Sequence, residues 1–406
     1  MARQRLDQVD AMRPVKQLGV ISTHSVLYFA PAAAWVGSGA ALLLLHVSRE
    51  GFFFISACML TYAYVNLDRS GLGRFYWRRF LAVGIPYLAW NAVYFLWSLR
   101  DTTYTAGTAL AHMVQLLATG YYQLYFLLVI MQFYVVFPLV LILLKKTAGH
   151  HGWVIAAAAA IQIAVSICMH WGVFPPFMIK YGQEWALSYV LYLIGGGVVA
   201  FHMQEAHDWV VRHARLVVFA TFATAVLAEG VYFLSVDGIT SVLGSGSDPF
   251  QPSVIPFNCC FIALGYLAGV ALVRPWRSRQ TKAAVKSGSD NAYGIYLSQM
   301  LFITFLSGLG WERLTRTIPW PLLCAITVII VFACGYILTV LLARTPLAVP
   351  LTGRKRQPAS TLIPRPRRAA RPEAPGVTAR SAEPVEEPGE PAVAPVAVAA
   401  SRENGA

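Results

Sequence analysis

YFLLVIMQFYVVFPLVLILLKK, residues 125–146, holds twenty uncharged and almost wholly apolar residues before two lysines. About 20 such residues, wound as a helix, cross the roughly 30 Å hydrocarbon core of a bilayer. Ten runs of this kind are centred near residues 24, 53, 89, 132, 161, 193, 225, 263, 299 and 331. Several contain Pro or Gly, among them Pro86, Pro138 and Gly195-Gly196-Gly197. Lipid permits such breaks where neighbouring helices satisfy the freed backbone groups. The alternating pattern of a transmembrane barrel is missing. The fold class expected is an all-α membrane protein, a bundle of about ten transmembrane helices.

Composition agrees. The chain has 406 residues, 57% hydrophobic and 13% charged, with mean hydropathy +0.56. Soluble domains carry about 25% charged residues, so a soluble enzyme, a disordered protein and a nucleic-acid-binding domain are excluded as the whole answer. The net charge of +13 reflects placement, because ten of the 32 Lys and Arg fall from Arg344 onward. Most of the others occupy alternate gaps between the runs. One set comprises Arg3, Arg5, Arg13 and Lys16, then Arg69, Arg74, Arg78 and Arg79, then Lys145 and Lys146, Arg212 and Arg215, and Arg274 to Lys286. The opposite gaps hold only Arg100, Lys180, Arg313 and Arg316. Positive loops stay inside, so ten spans with both termini cytoplasmic are expected. The first run lacks a small-residue cleavage site and reads as a retained span. Residues 1–343 form the membrane domain, and 344–406, rich in Pro, Ala and Arg, read as a disordered cytoplasmic tail.

Ionisable groups at membrane depth are costly and mark sites or pathways. The first run carries Arg13 at its edge and His24 near its middle. Eleven residues turn 1100°, which puts both on one face about 16 Å apart, with Tyr28 alongside. The second run, HVSREGFFFISACML, carries His46, Arg49 and Glu50. In an antiparallel hairpin Glu50 reaches the depth of His24, where a carboxylate sets an imidazole's tautomer and basicity. Alternatively Arg49 and Glu50 pair with each other. Arg78 and Arg79, at the mouth of the third run, are either inside-positive anchors or a phosphate clamp, since a guanidinium fork matches phosphate.

Other features carry structure. Cys58, Cys168, Cys259, Cys260, Cys324 and Cys334 all fall inside runs, form no CxxC pair, and read as packing residues. His150, His151, His202, His207 and His213 lack tight ligand spacing, so no metal is expected. Gly265 and Gly269 read as a helix-packing pair. No repeat is evident. The longest outer loops span about residues 99–119 and 236–252.

With those residues set out, the chain resembles the membrane-bound acyltransferase type 3 family of integral membrane O-acyltransferases. Arg13 and His24 match its R-X10-H motif. Glu50 through Ala57 is similar to its acidic-x-FFxxSG segment, with Ala57 for Gly. Arg78-Arg79-Phe80 with Pro86-Tyr87 resembles its RR…PxY stretch. Tyr122 through Leu127, with Gln132, Tyr134 and Pro138, resembles its LWFL…Q-Y…P span, Gln123-Leu124-Tyr125 replacing His-Leu-Trp. Asn291 through Ser298 resembles its S-YGIYL-H span, with Gln299 where His is frequent. The resemblance covers the ten runs and leaves out the tail.

It implies transfer of an acyl group, usually acetyl, from acyl-CoA (acetyl-CoA) as co-substrate to a hydroxyl of a glycan, lipid-linked sugar or secreted metabolite. It also implies a multi-pass protein of the plasma membrane, with cell surface polysaccharide among the acceptors and no permanently bound cofactor. The expected partners are acyl-CoA, the hydroxyl-bearing acceptor and membrane lipid, not nucleic acid. His24 acts as general base or acyl carrier and Glu50 supports it. Arg13, Arg78 and Arg79 hold the donor's phosphates. A transporter or flippase for a glycan or acylated precursor is the alternative reading; an inactive structural subunit fits poorly with His24 and Glu50 at depth.

Overall fold

In the computed structural model, residues 7–100, 102–236, 250–274 and 278–356 are described. Arg3, Arg5, Arg277, most of the 236–252 loop and the tail from residue 357 lie outside them. Every regular element among the described residues is helical. The principal helices are α1 (Asp7–Phe29), α2 (Trp35–Leu45), α3 (Val47–Tyr64), α4 (Leu72–Ser98), α5 (Ala106–Thr119), α6 (Tyr125–Lys146), α7 (His151–His170) and α8 (Pro176–Lys180). After these come α9 (Val190–Phe201), α10 (Met203–Arg212), α11 (Ala214–Val236), α12 (Val254–Val273), α13 (Arg279–Gly308), α14 (Trp320–Leu342) and α15 (Ala348–Thr352).

Among the described residues seven helices are long and apolar enough to cross a membrane. They rise to eight when α9 and α10, bent by 100° at His202, count as one broken span. Two further helices match expected runs and have the length, α1 with 23 residues and α13 with 30. Their composition sets them apart: α1 carries Asp10, Arg13, Lys16 and Gln17, and α13 begins RQTKAAVKSGSD. Polar groups are tolerable where protein rather than lipid surrounds them. Accordingly α1 packs against α2, α3, α12, α13 and α14. The second run is longer than its apolar centre suggested, because α2 precedes α3 across a break at His46. Of the expected 99–119 loop, residues 106–119 form α5, opened by a capping box between Thr105 and Thr108.

Lys16 is buried at 3% exposure rather than anchoring a loop. Its ammonium lies 5.5 Å from the Phe261 ring centroid. Gly51 makes the room, since a Cβ there would stand 1.9 Å from Lys16 Nζ. Close helix contacts rest on glycine elsewhere too. A Cβ at Gly196 would stand 2.3 Å from Phe54 O, and one at Gly269 2.4 Å from Gln8 O, so α9 meets α3 and α12 meets α1 backbone to backbone. The α9 helix runs through its glycine triplet, and α4 and α6 continue through Pro86 and Pro138. The six cysteines are free thiols. A ring stack in the core joins Phe126 to Phe53 at 4.6 Å and Phe53 to Tyr189 at 4.2 Å.

Folded structure extends past Arg344. Beyond α14 the chain turns back, and Trp90 Nε1 on α4 donates to Leu351 O at 3.0 Å.

Candidate active site

The end of the bundle away from the start of α1 holds a cavity of about 690 Å³. His24 and Tyr28 enter it from the last turns of α1, His46 from the break between α2 and α3, and Arg49 from the first turn of α3. The 120–125 turn adds Gly120, Tyr122 and Tyr125, and the segment after α7 adds Lys180, Gln183 and Glu184. Its size falls in the range of small-molecule sites, and its polar groups converge.

The 120–125 turn is built for this position. Gly120 has φ +77°, and a Cβ there would stand 2.4 Å from Tyr125 N. Tyr122 has φ +37°, a left-handed conformation rare for an aromatic residue. Strain of this kind, of order 1–3 kcal/mol, persists where the surroundings impose it. Here Tyr121 stacks on Tyr94 at 4.5 Å, and Tyr122 meets Tyr28 edge-on at 6.1 Å. Gln123 locks the turn below: its Nε2 donates to Tyr94 OH at 2.9 Å, its carbonyl accepts from Tyr296 OH, and Tyr94 OH donates to Leu297 O at 2.6 Å. Gln299, in the neighbouring motif, accepts from Gln17 Nε2 at 3.1 Å. Gln123 and Gln299, each standing where the family pattern has His, thus act as ties between helices.

Two imidazoles face the cavity. His24 Nδ1 is buried with no hydrogen-bond partner. His46 Nδ1 bonds Leu42 O. A carbonyl oxygen only accepts, so Nδ1 of His46 carries the proton and Nε2 keeps its lone pair. The sequence shows His46 only as one of three ionisable residues in the second run and gives it no role; the helix break that turns it into the cavity left no signal in the apolar pattern.

Glu50 is not the partner of His24. Arg49 donates to Glu50 Oε1 from Nε at 3.0 Å and from Nη2 at 2.6 Å, both side chains being buried. Arg49 also reaches Gln183 Oε1 at 3.3 Å and lies over the Tyr189 ring at 5.0 Å. Glu50 turns its other oxygen, unpartnered, toward a separate small void beside Gln162, Gln251 and Asn258. The expected Glu50–His24 contact is therefore replaced by the Arg49–Glu50 pair. The guanidinium, not the carboxylate, lines the cavity of His24. Glu184, in the turn after α8, also lines it, and burial raises its carboxyl above the ordinary carboxylate range.

The three arginines assigned to the donor lie elsewhere. Arg13 pairs with Asp10 at 3.2 Å, eleven residues before His24 on α1, about 16 Å along the axis. Arg78 is exposed and lines a separate cavity of about 240 Å³ with Arg74 and Asp68. Bonds from the Ser70 hydroxyl and Gly71 N–H hold the Asp68 carboxyl below its ordinary range. Arg79 lies over the Tyr64 ring at 4.7 Å, with its Nε buried and unpartnered. The structure thus brings His24, His46 and Arg49 together and leaves Arg13, Arg78 and Arg79 toward the other end.

Two of the loop histidines bond each other. His151 Nε2 donates to Leu144 O at 2.8 Å, His151 Nδ1 meets His202 Nε2 at 2.8 Å, and His202 Nδ1 meets Glu205 at 2.9 Å. They pin the bend between α9 and α10.

No curated protein and no solved structure matches the chain. A family model does, under the description acyltransferase domain, over residues 6–340. That interval holds every helix from α1 to the end of α14 save single edge turns, and both ends of the polar architecture just described. With most of its length matched, this apolar helical chain belongs to the acyltransferase type 3 family of membrane acyltransferases.

Proposed function

We propose that the protein transfers an acyl group, acetyl in the simplest case, from acyl-CoA to a hydroxyl of a glycan, lipid-linked sugar or secreted metabolite. It does so in the plasma membrane, through ten spans with both termini cytoplasmic: the eight apolar spans together with α1 and α13. The observation that carries the reading is the cavity of about 690 Å³, which joins two imidazoles, a guanidinium and four tyrosine and acidic side chains (Tyr28, Tyr122, Tyr125 and Glu184) at one mouth. Such a lining suits a polyhydroxylated acceptor, with rings for its apolar faces and charges for its hydroxyls.

In this reaction the acceptor hydroxyl loses its proton to His24 as its oxygen attacks the thioester carbonyl carbon. Arg49 stabilises the oxyanion that forms, and Glu50 acts through Arg49 as a positioning residue. The carbon–sulfur bond breaks, and the leaving thiolate takes the proton back from the imidazolium. Arg13, Arg78 and Arg79 hold the nucleotide end of the donor. The fixed tautomer of His46 favours a second assignment, in which its Nε2 is the base and His24 binds the acceptor.

The test is label transfer from radioactive acetyl-CoA in membranes carrying the protein. His24→Ala is expected to lower transfer about 10²- to 10⁴-fold with normal insertion. If His24→Ala keeps its rate and His46→Gln loses it, the base is His46. If both keep it, or the unaltered protein labels no acceptor, the enzymatic reading falls in favour of a transporter or flippase for a glycan or acylated precursor.

A further inference from the structure

The segment that follows α14 lies beyond the family match, which ends at residue 340. Residues 344–356, RTPLAVPLTGRKR, leave α14, rise between α4 and α13, and return. Arg356 Nε donates to Arg344 O at 2.9 Å and closes the ends, the form of a compact Ω-loop. The apex is fixed by Trp90 Nε1 on Leu351 O at 3.0 Å and by the complete burial of Thr352. Gly353 adopts φ +66°, and a Cβ there would stand 2.4 Å from the Tyr293 ring. Arg354 Nη1 then donates to Asn291 Oδ1 at 3.3 Å.

The loop carries Arg344, Arg354, Lys355 and Arg356 and no acidic residue. Among the described residues no carboxylate pairs with any of the four. A tightly docked loop with four cations that no described carboxylate neutralises is set to receive an anion. Two buried polar atoms toward the same end of the bundle also lack partners, Arg79 Nε on α4 and Tyr293 OH against the loop itself.

We propose that the 344–356 loop is a phosphate-binding element, with Arg354, Lys355 and Arg356 contacting the pyrophosphate and 3′-phosphate of the acyl donor. The assignment rests on acyl-CoA being the donor. Guanidinium forks match phosphate oxygens in pairs. Docking the loop in advance removes the ordering cost that a free tail would meet on binding. Anionic lipid headgroups present the same chemistry, so the experiment separates the two sources.

Full-length protein in detergent is titrated with coenzyme A and with 3′-dephospho-coenzyme A, and separately exposed to phosphatidylglycerol vesicles after reconstitution. The variants are Arg354→Gln/Lys355→Gln/Arg356→Gln, which removes charge, and Gly353→Ala, which keeps the charge but drives the loop off Tyr293. A single cooperative melting transition and monodisperse elution establish that each is folded. The expected result is coenzyme A binding weakened about tenfold in the charge variant, less than that in Gly353→Ala, and a smaller salt dependence in the former. Equal coenzyme A affinity in the charge variant overturns the proposal. So does loss of vesicle binding alone, which makes the cations lipid contacts. If the unaltered protein does not saturate with coenzyme A, the donor assignment fails first and the loop assignment with it.

Discussion

Replacing Glu50 with Gln separates two roles for the most buried carboxylate on α3. Glu50 is 3% exposed, Arg49 is 7% exposed, and both hydrogen bonds between them fall on Glu50 Oε1. Two unit charges about 4 Å apart attract by about 4 kcal/mol at an effective dielectric of 20. Desolvating both ions offsets much of that gain, so the pair itself adds little. Removing one partner is a different matter. Glu50→Gln leaves a buried guanidinium without its counter-charge, among the neutral groups Gln183 Oε1, Tyr125 and two aromatic rings. The expected cost is about 3–5 kcal/mol. At about 2 °C per kcal/mol for a chain of this size, the melting temperature in detergent falls by about 6–10 °C. The double variant Arg49→Met/Glu50→Leu removes both charges and is expected to recover most of that loss, a coupling that a double-mutant cycle reads directly. Transfer by Glu50→Gln falls as Arg49 drifts from the cavity wall, and transfer by the double variant stays low although its stability returns. The reasoning is refuted if Glu50→Gln melts within about 2 °C of the unaltered protein while transfer drops 100-fold, the pattern of a carboxylate that serves an imidazole.

Gly196→Ala sets a Cβ 2.3 Å from Phe54 O and 3.1 Å from Cys58 N, and is expected to cost at least about 1–3 kcal/mol by forcing α9 from α3. The control is Gly195→Ala, whose Cβ meets nothing nearer than 3.9 Å, and equal melting temperatures for the two would contradict the packing account. Tyr122→Gly relieves the left-handed strain but removes the ring facing Tyr28, so melting is expected to hold or rise while transfer falls about tenfold. A fall in melting temperature with normal transfer would show that the ring supports the fold and not the site.

What the sequence disclosed followed from periodicity and length. Apolar runs of about 20 residues gave the membrane class and the helical architecture, and the Gly265–Gly269 spacing anticipated the close approach of α12 to α1, where Gly269 meets Gln8 O. The Arg13–His24 spacing led to the imidazole that lines the cavity. Contacts between distant segments were beyond it. The sequence left Glu50 open between His24 and Arg49; Gln183 and Tyr189, which hold Arg49 beside Glu50, arrive from more than a hundred residues away. The loop after α14 read as tail because Pro, Ala and Arg dominate the stretch of chain from residue 344 onward. Its order comes from an indole on α4, a glycine seated on Tyr293 and two arginine hydrogen bonds, none of which leaves a periodic mark. Lys16 counted as a loop cation because lysine rarely lies inside a bundle, and only the missing side chain at Gly51 makes its burial possible.

On the proposed reading, the same packing gives acyl transfer two ends. His24 and its cavity lie at one end, and Arg13, Arg78 and the basic loop lie toward the other. Between them stands a layer of rings: Phe52 and Phe53 meet Phe126 at 6.1 and 4.6 Å, and Phe126 meets Tyr296 at 5.6 Å. A continuous water column there would hydrate the buried charges and expose a thioester to hydrolysis, whereas a dry aromatic layer strengthens each electrostatic contact beside it. A polyanionic nucleotide gains nothing by entering such a layer, whereas an uncharged pantetheine arm loses far less than the charged nucleotide would. On the proposed reading the phosphates stay with the guanidinium groups, and the arm alone passes the rings. The acyl carbon then reaches His24 while the acceptor waits in a cavity that the nucleotide never enters. On that same reading, the roughly 16 Å between Arg13 and His24 along α1 is the distance the arm would span.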